Sequence, residues 1–157
     1  MIQRKQSVFL LLAFVASVVC LCLPLGSFEP QAMGVGFKMY NLMVMLGTGA
    51  DYSVCGLFGV LVLSSILSVA TIGLYKNRML QSRLCACNLF LLVAWYIVFG
   101  AMTRNVISAD TTFHVEFATC LPAVSIILVQ MARMAILKDE KRVRDSERDR
   151  KSTRLNS

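Results

Sequence analysis

Four long apolar runs constrain this chain more than any other feature of its sequence. They predict helices at about residues 8–25, 55–74, 84–103 and 114–137. A helix of about 18 or more apolar residues crosses a hydrocarbon core of ~30 Å. In lipid, only such a helix or a closed barrel satisfies its own backbone hydrogen bonds. The sequence therefore predicts an all-α membrane protein that folds as a four-transmembrane-helix bundle.

Two other fold classes disagree with the composition. The chain has 157 residues and 57% hydrophobic content, so a water-soluble domain would have too little polar surface to enclose four apolar runs. The strands of a membrane barrel alternate apolar and polar residues, whereas these runs are continuously apolar. Residues 1–148 are therefore predicted to form one membrane domain.

The distribution of lysine and arginine predicts the orientation of the chain. With the N-terminus in the cytoplasm, fourteen of the sixteen basic residues lie inside or at the inner boundary, and only Lys38 and Arg104 lie outside. Retained basic residues set topology in this way, so we expect both ends inside, N-in and C-in. The first run is longer than the usual 7–15 residues of a signal peptide, and no small-x-small cleavage site precedes Pro24. It is predicted to be a retained anchor.

The longest loop, residues 26–54, falls outside the cytoplasm between helices 1 and 2. Residues 37–46 are rich in types that suit strands, and residues 47–51 resemble a turn. A short β-hairpin that caps the bundle is the preferred interpretation, and a segment lying on the bilayer is the alternative. Pro122 either kinks the fourth helix or marks its true start.

Few polar side chains occur within the apolar runs. Asn88 is predicted to hydrogen-bond a neighbouring helix, while Ser64 and Ser68 share one helical face suited to close packing. Trp95 is assigned to the core, and Arg133 is expected to reach the head groups. Transport and proton relays usually need ionisable groups at mid-bilayer, and the sequence places none there.

Two sets of residues suggest metal or redox chemistry, and both are assigned to simpler roles. Residues two apart on a helix point about 200° away from each other, so each C-x-C pair suits packing better than a shared ion. An outer disulfide between two of the six cysteines stays open. His114, Asp110 and Glu116 are too few for the usual zinc site. No catalytic, metal or cofactor residue is therefore predicted. The cysteines are Cys20, Cys22, Cys55, Cys85, Cys87 and Cys120, with Cys55 and Cys120 as the candidate pair.

The net charge of +7 predicts lipid partners rather than nucleic acid. Half of the sixteen basic residues lie from Lys138 onward, directly after a membrane segment, where basic residues attract anionic lipid head groups. The expected partners are the bilayer, anionic head groups on the cytoplasmic side, and either a second copy or another membrane protein.

A set of short segments at the helix ends carries a family resemblance. The segments are Met1–Gln6, Leu23–Leu25, Tyr40–Leu42, Tyr75–Arg78, Gln81, Arg83, Leu84, Lys138–Glu140 and Val143–Arg144. Together they resemble domain-of-unknown-function family 4293, small four-helix inner-membrane proteins of Bacteroidota-type bacteria. The resemblance covers residues 1 to about 148. It implies a multi-pass protein of the bacterial inner membrane, and the family has no assigned activity to carry over.

Residues 149–157 depart from that pattern. They can be encoded by GAT CGG AAG AGC ACA CGT CTG AAC TCC, which resembles a common sequencing-library adapter. We therefore expect a disordered tail of artefactual origin, whose removal lowers the net charge from +7 to +5 by taking away three basic residues and one acid. Resequencing that finds the same codons in the genome would refute this origin.

Three functions fit the sequence to different degrees. The first is a structural, assembly or accessory membrane component without catalysis, because no catalytic motif is present. The second is a small transporter or channel, suggested by the multi-pass bundle alone. The third is a membrane enzyme or metal site at the extracytoplasmic face that would use His114, Glu116 and Asp110.

Overall fold

Four helices and a small sheet make up the described chain. The computed structural model describes residues 2–30, 36–46, 49–74, 77–106 and 111–155. The helices are α1 (Ile2–Cys22), α2 (Cys55–Gly73), α3 (Arg78–Val106) and α4 (Leu121–Leu155). The strands are β1 (Gly26–Pro30), β2 (Phe37–Met39), β3 (Val44–Leu46), β4 (Gly49–Asp51) and β5 (Thr111–Val115).

The helices pack in a ring in which α1 contacts α2 and α4, and α3 contacts α2 and α4. Three of them contain segments long and apolar enough to cross a membrane. The apolar part of α1, Gln6–Cys22, is shorter. The predicted helical architecture with membrane-length segments is confirmed at this level.

Each helix turns one stripe of its surface toward the ring axis. In α3 the fully buried side chains Cys85, Leu92 and Trp95 recur at intervals of three or seven residues, the spacing of a single helical face. Val129, Ala132 and Ile136 form the matching stripe of α4. The core is therefore a column of inward-facing side chains that all four helices share.

Two prolines explain helix boundaries that the hydropathy pattern placed less accurately. α1 ends at Cys22 rather than near residue 25, because Pro24 has no N–H to continue the helical ladder. Pro122 lies in the first turn of α4, where a missing N–H costs nothing. It therefore marks the start of the helix and does not kink it.

The fold class differs from the prediction, because an antiparallel sheet of five strands closes one end of the helices. The strand order is β4-β3-β2-β1-β5. The expected hairpin is present as β2 and β3, but β1 pairs with it on one side and with β5 on the other. Gly26 faces Val115 across the β1–β5 pair. The chain is therefore helical with a small sheet and is not all-α.

Two predicted boundaries in the second half of the chain also differ from the structure. His114 and Val115 lie in β5, whereas the fourth helix was expected from residue 114. At the other end, α4 continues to Leu155, whereas residues 149–157 were expected to be disordered. Arginine and lysine in the tail are good helix formers that prolong an existing helix without a new nucleus.

The two ends of the helix ring differ in character. We call one the sheet end, where β1–β5 lie. The other is the charged end, where α3 begins at Arg78 and α4 continues past Lys138 with the acidic and basic residues of its second half.

Candidate functional site

A buried asparagine at the sheet end joins three helices. Asn41, between β2 and β3, is completely buried. Its Nδ2 donates to the carbonyl oxygen of Cys20 at 2.7 Å, and its Oδ1 accepts from Nε1 of Trp95 at 3.1 Å. Its own carbonyl accepts from the backbone N–H of Phe58, near the start of α2.

The sequence of α1 explains why this asparagine is needed. In an α-helix the carbonyl of Cys20 would pair with the N–H of the residue four positions later, which is Pro24. Asn41 supplies the donor that the proline lacks, and so it completes the hydrogen bonding at the end of α1. Segments Leu23–Leu25 and Tyr40–Leu42, both part of the family resemblance, therefore meet in space.

A second set of contacts fixes β1 against the start of α4. The carbonyl oxygen of Leu25 accepts from the Oγ1 of Thr119 at 2.7 Å and from the N–H of Glu116 at 3.0 Å. The carbonyl of Thr119 in turn accepts from the hydroxyl of Tyr96 at 2.7 Å. The sheet is therefore bonded to the helices and forms a fixed closure of this end.

Small polar side chains join the helices farther from the sheet. The Oγ of Ser64 donates to Oδ1 of Asn88, whose Nδ2 donates to the Oγ of Ser68 at 2.8 Å. The predicted hydrogen bond of Asn88 to a neighbouring helix is thereby confirmed. Between α1 and α4, the Oγ of Ser125 donates to the carbonyl of Ala13 at 3.2 Å. These contacts lock helix pairs together.

The ring axis is filled by side chains. Leu10, Leu61, Leu92, Trp95 and Val129 have no exposed surface. Trp95 therefore lies in the core, as predicted. The interior at these positions is therefore occupied by large apolar groups, beside the buried Asn88, Ser64 and Ser68.

The outer faces of the same helices are apolar. Exposed fractions reach 77% at Phe90 and 69% at Ile97 on α3. Comparable exposed side chains on the other helices are Val8, Leu11, Leu12 and Val15 on α1, Leu63, Ile66 and Val69 on α2, and Val124, Ile127, Met131 and Met134 on α4. Such continuous apolar surface on every helix is typical of contact with lipid or with another membrane protein.

A groove of about 590 Å³ lies at the charged end between the start of α3 and the second half of α4. Its charged lining consists of Arg83, Glu140, Lys141, Arg144 and Asp145. Arg144 donates to Glu140 at 2.9 Å within α4. This groove, which we call the α3–α4 groove, is a charged surface beside apolar helix faces.

Next to the α3–α4 groove lie one ion pair that joins the two helices and one arginine with an unpartnered nitrogen atom. Arg78 at the start of α3 forms an ion pair of 2.9 Å with Asp139 of α4. Arg133, one turn before the charged segment, is half-buried, and its Nε has no hydrogen-bond partner in the described ranges. The Nε2 of the buried Gln6 is likewise without a partner there.

The predicted metal candidates do not assemble in the part of the chain that the structure describes. His114 in β5 lies 3.8 Å from Glu29 in β1, and both side chains are largely exposed. Asp110 lies outside the described residues. No group of three potential metal ligands occurs among the residues that are described.

The cysteines are free thiols. In each C-x-C pair one residue is buried and the other exposed, namely Cys20 against Cys22 and Cys85 against Cys87. This is the opposite-face arrangement that helical spacing predicts. Cys55 and Cys120, the candidate disulfide, are both exposed and unpaired.

Sequence reasoning missed Asn41 and the α3–α4 groove as sites. Asn41 stood in the outer loop and was assigned no contact with the helices, although it is a polar residue beside apolar neighbours and Pro24 lacks a backbone donor. The groove depends on the antiparallel alignment of α3 and α4, which no local pattern reveals.

Comparison with protein families gives a match over most of the chain. A family model described as a domain of unknown function, DUF4293, matches residues 2–148. A search among curated proteins finds no match. The match ends within α4, seven residues before the end of that helix at Leu155.

Proposed function

This chain belongs to the DUF4293 family, and from that premise and its fold we propose that it is a multi-pass membrane protein of the bacterial inner membrane that acts as a structural, assembly or accessory component without catalysis. All four helices span the bilayer, with both ends in the cytoplasm. The protein works by packing against lipid and against another membrane protein or a second copy.

One observation carries this proposal, namely that the outer surface of the helix ring is apolar while polar side chains are bonded to one another inside it. Large apolar side chains such as Phe90 and Ile97 face outward, whereas the side chains of Asn88, Ser64 and Ser68 face inward and bond to one another. In water this arrangement would expose apolar surface on every helix. In a bilayer the outward apolar side chains contact lipid, and the inward polar side chains hydrogen-bond between helices.

The length of α1 supports a fourth span. The apolar part of α1, Gln6–Cys22, extends about 26 Å and so lies at the lower limit of about 17 residues for a helix that crosses the hydrocarbon core. It packs against both α2 and α4. Four antiparallel spans leave the N-terminus and the charged end on the same side.

Charge asymmetry supports the cytoplasmic assignment of the charged end. Lys38 and Arg104 are the basic residues of the sheet end, beside the acids Glu29, Asp51 and Glu116. The charged end has Arg78 and Arg83 at the start of α3, and the basic residues of α4 from Lys138 onward. An excess of lysine and arginine close to the ends of spans marks the cytoplasmic side.

The filled ring axis favours a packing role over a transporter or channel. A conducting pathway needs polar groups or a cavity across the bilayer. Here the axis contains Leu61, Leu92 and Trp95, all without exposed surface. An outer-face enzyme or metal site also gains no support, because His114 contacts Glu29 at the surface and not a ligand cluster.

Phosphatase fusions test the topology. An alkaline phosphatase joined after residue 155 is expected to be inactive, because the enzyme folds only outside the cytoplasm. The same phosphatase inserted between β3 and β4 is the matched control and is expected to be active. Activity of the terminal fusion, or extraction of the untagged protein by alkaline carbonate without detergent, would contradict the proposal.

Cross-linking tests the packing role. Membranes that contain the full chain are treated with a short amine-reactive cross-linker and solubilised in mild detergent. A reproducible adduct, either a dimer or one with another membrane protein, is expected. A strictly monomeric chain, together with solute flux in proteoliposomes, would support the transporter instead.

A further inference from the structure

The α3–α4 groove has the size and position of a ligand site at the inner boundary of the membrane. Its volume of about 590 Å³ lies within the range of roughly 300–1,000 Å³ found for small-molecule sites. Arg83 directly precedes the apolar run of α3, and Leu137 ends the apolar run of α4. In the topology proposed above, these positions lie where hydrocarbon meets head groups.

The charges of the groove leave one unbalanced positive charge. Arg144 and Glu140 neutralise each other through their bond of 2.9 Å. Arg83 and Lys141 have no acidic partner at ion-pair distance among the described side chains, and Asp145 offsets one of them. The groove therefore has two available cationic donors and a net charge of +1, which suits a ligand with a single negative charge.

Apolar side chains continue from the groove toward the membrane interior. Met79 and Leu137 line the groove itself and are 54% and 44% exposed. Phe90 lies seven residues after Arg83, and Met134 lies three residues before Leu137, so each follows the same helical face. Both are exposed. An acyl chain that starts at the groove would meet apolar contacts for about two turns of α3.

From this juxtaposition we propose that the α3–α4 groove binds one anionic phospholipid, with its phosphodiester held by Arg83 and Lys141 and its acyl chains lying along α3 and α4. The net charge selects a lipid with charge −1, such as phosphatidylglycerol, over a zwitterionic one. This inference rests on the proposed membrane topology and adds a defined lipid partner to it.

Native mass spectrometry of the full chain in a nonionic detergent measures this binding directly. Short-chain phosphatidylglycerol is titrated, and the fraction of protein with one bound lipid is counted. Phosphatidylcholine of equal chain length is expected to bind at least about fivefold more weakly, the factor for roughly 1 kcal/mol. Equal binding of the two lipids would overturn the proposal.

Charge-matched variants test the location. The double variant R83Q/K141Q is expected to weaken phosphatidylglycerol binding about 30-fold, the factor for roughly 2 kcal/mol at ~1 kcal/mol per basic residue. The control R142Q/R148Q removes the same charge from exposed positions outside the groove and is expected to change binding less than about threefold. Equal losses in the two variants would show diffuse attraction and refute a groove site.

A second variant and a soluble probe complete the test. L137W fills the groove without altering charge and is expected to weaken binding even if R83Q/K141Q fails to fold. Glycerol 3-phosphate, which lacks acyl chains, is expected to bind at least about 100-fold more weakly, because the buried methylenes contribute ~0.8 kcal/mol each. Equal affinity for this probe would assign the groove to a soluble phosphate compound. Lipid binding in detergent does not depend on how the protein is oriented in the membrane. A negative result would therefore refute the lipid site without affecting the topology that the phosphatase fusions test.

Discussion

Replacing Asn41 by alanine should weaken the link between α1 and α3 that its side chain provides. In the wild type its side chain satisfies a buried carbonyl at 2.7 Å and a buried indole N–H at 3.1 Å. Asn41→Ala leaves one acceptor and one donor unpaired inside the protein. At about 1–3 kcal/mol for each, we expect a loss of roughly 2–6 kcal/mol in the free energy of unfolding.

Titration with sodium dodecyl sulfate measures this loss in mixed micelles. Unfolding is followed by far-UV circular dichroism and by the emission of Trp95, the single tryptophan of the chain. Ser146→Ala is the control, because it removes a polar side chain at an exposed position within α4 and should be nearly neutral. A difference of less than about 0.5 kcal/mol between Asn41→Ala and the wild type would refute the capping role of this residue.

A double-variant cycle isolates the bond between Asn41 and Trp95. Trp95→Phe removes the indole donor, so part of the penalty for Asn41→Ala should disappear in that background. We expect a coupling energy of about 0.5–3 kcal/mol, measured by circular dichroism because the fluorophore is absent. Strict additivity of the two single changes would exclude a direct interaction.

The remaining predictions use the same titration. Asn88→Ala should cost about 1 kcal/mol, because two interhelical hydrogen bonds are lost inside the ring, and an unchanged transition would contradict their role. A Cβ at Gly26 would lie 2.9 Å from the carbonyl oxygen of His114, so Gly26→Ala should cost about 1–3 kcal/mol, whereas Gly56→Ala, where the added carbon meets open space, should be nearly neutral. Asp139→Asn removes an ion pair of 2.9 Å with α3 and should cost about 1 kcal/mol, a difference that high salt should reduce; a cost that does not depend on salt would point to packing instead.

The helices of this fold are readable from sequence because each is encoded locally. Length and hydropathy suffice for α2, predicted at residues 55–74 and observed at Cys55–Gly73. Periodic packing places Trp95 in the core, and the two-residue spacing of the cysteine pairs predicts their opposite faces. The family resemblance over residues 1 to about 148 is likewise confirmed by the match to residues 2–148.

The sheet is harder to predict because its pairings are distant and its strands short. β2, β3 and β4 each contain three residues, too few for alternation to stand out. β5 precedes an apolar helix, and its sequence resembles the start of that helix. Its partner β1 is separated from it in the sequence by α2 and α3. The groove and the role of Asn41 depend on the same long-range placement, so local patterns do not reveal them.

The partnership of β1 with β5 has a consequence for how the protein is made. The Oγ1 of Thr112 bonds to the carbonyl of Glu29 across 83 residues of chain. During synthesis the ribosome produces β1 long before its partner β5. In the topology proposed above, the edge of β1 that pairs with β5 stays unpaired outside the cytoplasm until α3 has been inserted into the membrane. A chain stalled at that stage displays an unpaired strand that folding factors or proteases can recognise, whereas the finished protein has that edge closed.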